Sequence, residues 1–138
     1  ITEENVYSDN VKTVKASSSM SENINLDSMA IFANATVYFE FDKSSLTSKS
    51  IQTLKSAVDA LNENTSIKVT LSGHADERGT REYNLALGQR RAESVSDYLV
   101  LNGINKSRIT VKSFGEEKPL AYGQDESSYA KNRRVEIN

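Results

Sequence analysis

The chain reads as an α/β (α+β) sandwich, one sheet with helices packed on one face. Short β-branched and aromatic runs alternate with two long segments of helical period. The order over residues 36–114 is therefore strand–helix–strand–helix–strand. A helical crossover between the first two strands makes them parallel, directly paired or not. The second and third strands alternate apolar with polar residues, the pattern of a sheet buried on one side.

Residues 1–23 hold Ser8, Ser17, Ser18, Ser19 and Ser21, few large apolar residues and no sustained period. Such a segment buries too little apolar surface to offset its ordering entropy. Residues 1–30 are expected to form a flexible tether, with Ile24, Leu26, Met29 and Phe32 able to dock its end on the domain at 31–138. Charge changes at the same place. Residues 1–30 hold five acids and two lysines, a net −3, and the remainder is net +1. At about 5–6 Å × √n, some thirty flexible residues reach on the order of 30 Å.

Thr36–Phe41 (TVYFEF) predicts the first strand, and Asp42–Ser45 a loop. Thr47 is the expected N-cap of a helix over about 48–62, whose Ile51, Leu54, Val58 and Leu61 share one face. Ile67, Val69 and Leu71 alternate with Lys68, Thr70 and Ser72 as the second strand. The segment GHADERGTREYN (73–84) follows. Leu85, Ala92, Val95 and Leu99 predict a long helix over roughly 81–101, pointing inward, and ended by Asn102-Gly103. Ile109, Val111 and Ser113 alternate with Thr110, Lys112 and Phe114 as the third strand. A loop from Gly115 to Ser127 contains the single proline, Pro119. A helical turn at 127–131 and a last strand at Arg134–Ile137 (RVEI) complete the chain.

The bulk figures narrow the function. The chain has 138 residues, which fits one domain, and a net charge of −2. Balanced charge argues against a nucleic-acid partner. No run approaches the ~18–20 apolar residues of a membrane span. No signal peptide is visible, and the first residue is Ile1, as in a processed or trimmed chain. There is no cysteine, so neither a disulfide nor a thiolate metal site can form.

The carboxylates of Asp42 and Asp76 follow strands one and two, so parallel strands bring them to one sheet edge, where α/β sheets bind ligands. Three kinds of chemistry compete there. His74, Asp76 and Glu77 offer metal donors, but the chain has no second histidine, and zinc or calcium needs a fuller set; no metal is expected. A hydrolase lacks a G-x-S-x-G elbow, and the two aspartates have the simpler role of loop acids accepting backbone N–H bonds. A binding site fits better. Asn84, Leu87 and Arg91 fall on one face of the second long helix. Asp76 can take an ammonium, and Arg91 can grip a carboxylate through two parallel hydrogen bonds, while the helix N-terminus adds positive potential. The simpler alternative pairs Arg91 with Asp76, Glu93 or Glu77 and gives neither a ligand. His74 is expected to be scaffold, hydrogen-bonded and neutral.

The segments VYFEFDKSSL, GHADERGTREYN with LALGQRRAESV, VKSFGEEKP and NRRVEI resemble, in that order, the OmpA-like C-terminal domain family. DERGTREYN and SFGEEKP resemble more narrowly its peptidoglycan-associated lipoprotein (Pal) branch. The resemblance covers about residues 35–138 and implies a β-α-β-α-β-(α)-β domain with a mixed four-stranded sheet. It implies non-catalytic binding of peptidoglycan through the diaminopimelate of the stem peptide, without a cofactor. By motif position, the key aspartate and arginine fall on Asp76 and Arg91. Phe41 and Asp42 line the site from the first loop, and Asn84 and Leu87 from the helix. The branch also implies a lipid anchor in the outer membrane, on its periplasmic face, and TolB with the rest of the Tol–Pal system as partners. The anchoring cysteine does not occur in this sequence. Glu40 stands where the branch often has Asp, and Ala75 where many family members have Thr. Neither change removes a proposed contact. An OmpA-type or stator-type domain of a larger membrane protein, and a wall-acting hydrolase, are the competing readings.

Overall fold

A computed structural model describes residues 35–138. The tether at 1–30 and the docking of Ile24, Leu26, Met29 and Phe32 lie outside the described residues. The elements are β1 (Thr36–Tyr38), α1 (Ser48–Glu63), β2 (Val69–His74), α2 (Arg81–Leu101), a 3-10 turn (Lys106–Arg108), β3 (Ile109–Gly115), α3 (Glu126–Asn132) and β4 (Arg134–Ile137). Each α-helix starts at a side chain that accepts an otherwise unpaired backbone N–H. Thr47 accepts from Ser50, Thr80 from Tyr83, and Asp125 from Ser128. α2 stops at Asn102, and Gly103 follows with φ 96°, the left-handed conformation that glycine adopts without strain.

The sheet order is β1-β4-β2-β3. β4 is antiparallel to both neighbours and β2 is parallel to β3, so the sheet is mixed and β1 runs parallel to β2 with β4 between them. Register puts two apolar rows on the helix side: Val37 opposite Val135, and Ile137 opposite Leu71 with Leu71 opposite Val111. Leu54, Ala57 and Leu61 of α1 and Ala92, Val95 and Leu99 of α2 complete this core. On the other face the 116–125 segment reaches over the sheet, and the Lys118 carbonyl accepts from Arg134 Nη2.

Three sequence expectations change. β1 ends at Tyr38, not Phe41. Beyond it Phe39 donates its N–H to the Arg133 carbonyl, and the chain turns through Glu40–Lys43 with Asp42 at φ 58°. β2 starts at Val69 rather than Ile67 and runs on through His74. Leu85 is 49% exposed instead of inward-facing. There α2 meets β3 through its backbone: the Ser113 hydroxyl donates to the Leu85 carbonyl, and Gly115 lies against the Leu85 backbone.

That close approach continues one turn on. A Cβ at Gly73 would stand 1.8 Å from the Gly88 carbonyl oxygen, and one at Gly88 2.4 Å from Ser113 Oγ. The glycine pair lets α2 sit directly on the end of β2, which fixes where the loop carrying Asp76 leaves the sheet.

Candidate functional site

The ends of β1 and β2 open into a cleft of about 270 Å³, walled by the first three turns of α2. Phe41, Asp42, Asp76, Asn84, Leu87 and Arg91 all line it, joined by Ala75, Arg78, Gly79 and Tyr83. All six side chains named from the sequence thus meet in one place.

Asp76 is 4% exposed. Its Oδ1 accepts from the Arg78 backbone N–H (3.0 Å) and from Arg78 Nε (3.1 Å), and its Oδ2 from Arg78 Nη2 (2.8 Å). The first of these is the loop-acid role expected of an aspartate leaving a strand. Arg133 Nη1 lies 3.7 Å from Oδ2. Burial by itself would raise the Asp76 carboxyl. Hydrogen bonds and charge from Arg78, with charge from Arg133, outweigh it and hold the group below its ordinary value.

Arg91 is fully buried. Nε donates to the Lys43 carbonyl (2.8 Å), Nη1 to the His74 carbonyl (2.9 Å) and Nη2 to the Glu40 carbonyl (3.1 Å). It therefore pins the loop after β1 to the end of β2. A guanidinium carries five N–H groups, so two remain. Burial lowers its pKa to about 10; Arg133 adds to this and Asp76 opposes it. The group stays a cation at neutral pH. Its pairing with Glu93 or Glu77 is not seen: Glu93 accepts from Gln89, and Glu77 from Gln124.

The other residues hold the walls. Asn84 Nδ2 donates to the Arg78 carbonyl (3.1 Å) and to Glu116 Oε1 (2.7 Å), tying the Asp76 loop to α2. Asp42 accepts from the Tyr83 hydroxyl, which links the first loop to α2 and raises the Tyr83 pKa. His74 corrects an expectation. It is buried and stacked on Phe114, yet neither ring nitrogen has a hydrogen-bond partner among the described residues. Glu136 Oε1 is 3.9 Å from Nε2. Burial, then Arg134 and Lys118, push its pKa down to about 3, so the ring is neutral as foreseen.

A family model described as the OmpA family matches residues 38–133. The chain belongs to the OmpA family. Among its relatives, the peptidoglycan-associated lipoprotein of Pseudomonas aeruginosa is 47% identical over 111 residues, which are 80% of this chain and 66% of the relative. That of Haemophilus influenzae is 48% identical over 100 residues, 72% of this chain and 65% of the relative. The matches thus span just under two thirds of these relatives' lengths. The crystal structure of the peptidoglycan-associated lipoprotein from Burkholderia pseudomallei superimposes with a TM-score of 0.72 at 42% identity, over 74% of this chain and 86% of that one.

Two arginines of this OmpA-family site escaped sequence reasoning. Arg78 sits two residues past Asp76, a spacing that permits an i, i+2 clasp across a loop but does not require it. Its guanidinium lies over the rings of Phe41 (4.1 Å) and Tyr129 (4.2 Å). Arg133 comes from NRRVEI at the far end of the chain. Its Nε donates to the Phe39 carbonyl and its Nη2 to Glu126. No local pattern could bring residue 133 to residue 76; the antiparallel pairing of β4 does.

Proposed function

We propose that this chain binds peptidoglycan non-covalently through the diaminopimelate end of its stem peptide. The observation that carries the reading is the buried Asp76 carboxylate among the guanidiniums of Arg78, Arg91 and Arg133. A cleft that holds a buried carboxylate beside guanidinium groups suits a group carrying one amine and one carboxylate. Asp76 takes the ammonium. Arg91, with two N–H groups uncommitted, faces the carboxylate. Phe41 and Leu87 supply apolar walls for the ligand's methylene chain, and Asp42 and Asn84 its polar rim. Nothing in this role needs a metal, a cofactor or bond cleavage. The relatives bear peptidoglycan in their names, and their identity at 47–48% supports the same ligand here.

On this reading residues 1–30 are the tether of an outer-membrane lipoprotein, and the 31–138 domain holds the wall from the periplasmic side. TolB and the Tol–Pal system are the partners that follow from the same kinship. Many weak grips on a repeating polymer give avidity that a single site lacks.

Co-sedimentation with purified sacculi tests the reading. Wild type should pellet with the wall, Asp76→Ala should stay in the supernatant, and no muropeptides should be released. Equal pelleting of both would sink the site, and released muropeptides would establish a hydrolase.

A further inference from the structure

We propose that Arg78 is a displaceable latch on Asp76, which sets an affinity threshold that an amine alone does not clear and an amine joined to a carboxylate does. The inference rests on the binding reading above. Among the described residues, every hydrogen bond that Asp76 accepts comes from Arg78, two of them from the guanidinium. An incoming ammonium therefore meets a carboxylate that is already paired, and must take the place of a two-pronged, charge-assisted contact.

Three features make the exchange possible. Arg78 is the accessible partner: its side chain is 36% exposed, against 4% for Asp76. A second acceptor stands ready, since Glu126 Oε1 lies 3.9 Å from Arg78 Nη2. The rings of Phe41 and Tyr129 lie 4.1 and 4.2 Å from the guanidinium, cation–π contacts that do not depend on the Asp76 carboxylate. Arg133, anchored on the Phe39 carbonyl and Glu126, stays beside Asp76 and keeps that carboxylate ionised during the exchange.

The threshold follows from the exchange. One ammonium replacing a bidentate guanidinium gains little by itself. A ligand that also places a carboxylate near the remaining arginines makes up the difference. A lone amine, such as the side chain of a lysine-type stem peptide, does not.

The test is calorimetry on the whole chain with diaminopimelate-type and lysine-type stem peptides, using wild type, Asp76→Ala and Arg78→Gln. If the unlatched form is about a tenth of the free population, Arg78→Gln should bind the diaminopimelate peptide about tenfold more tightly. It should gain by the same factor toward the lysine peptide, since both ligands displace the same latch. In wild type the Arg78 Nε–H resonance should shift on saturation with the diaminopimelate peptide, a readout that does not depend on the variant folding. Equal or weaker binding by Arg78→Gln, or an unmoved Arg78 resonance, overturns the latch. If wild type binds, Asp76→Ala does not, and Arg78→Gln matches wild type, the latch alone fails. If wild type itself does not bind, the binding reading fails and takes the latch with it.

Discussion

At the scale of single residues, the unpartnered His74 ring makes a distinct prediction. Its pKa is about 3 in the fold and 6.5 unfolded. Between those values the unfolded chain binds more protons, so stability falls as pH drops through 6.5 toward 3. From pH 7 to pH 4 this single group should cost on the order of 3 kcal/mol. Urea unfolding of wild type and His74→Phe at both pH values isolates it: the variant should gain about that much relative to wild type at pH 4. Asp76 is depressed instead, so its contribution is present above the ordinary carboxylate pKa and is lost only as pH falls through its lower folded value. Ligand affinity should therefore be flat from pH 7 to pH 5, which calorimetry at those values checks. The place of Asp76 at the cleft was legible because parallel strands carry the acids that follow them to one sheet edge. Arg78 and Arg133 were not, because which arginine closes on a buried acid depends on long-range packing.

At the scale of elements, the same side chain can serve site and scaffold. Arg91 was read as a ligand grip from its helical face, and that face does turn toward the cleft. Periodicity could not reveal that three backbone carbonyls from two separate elements converge on it. Arg91→Ala should leave them unpaired and lower stability by about 3 kcal/mol or more, measured by urea unfolding. The seating of α2 on β2 depends on Gly73 and Gly88. Gly73→Ala places a methyl carbon inside the Gly88 carbonyl, and should also cost about 3 kcal/mol or more. A loss under about 1 kcal/mol would mean that the helix is free to lift off the strand. Helices and strands were readable because period 3.6, period 2 and the Thr47 cap agree along the chain. The strand ends were less so. Phe39–Phe41 has strand composition, but the turn at Asp42 and the carbonyls held by Arg91 draw it away from the sheet. Leu85 has the right spacing for the core but lies where α2 and β3 touch through backbone.

At the scale of the whole molecule, the parallel course of β1 and β2 puts Asp42 and Asp76 on one edge, and the sequence order alone implied this. The place of β4 between them was not implied by spacing, yet it delivers Arg133 to the site and closes the sheet. The architecture thus gathers charges from positions 76, 78, 91 and 133 around one cleft. We propose that this arrangement recognises a zwitterion. Calorimetric titration of wild type with a diaminopimelate-containing stem peptide and with its lysine counterpart tests it most directly, with Arg91→Lys as the variant. Wild type should bind the diaminopimelate peptide at least about tenfold more tightly, since the lysine peptide lacks the second carboxylate, and Arg91→Lys should lose the preference. Equal affinity of wild type for the two peptides would contradict it.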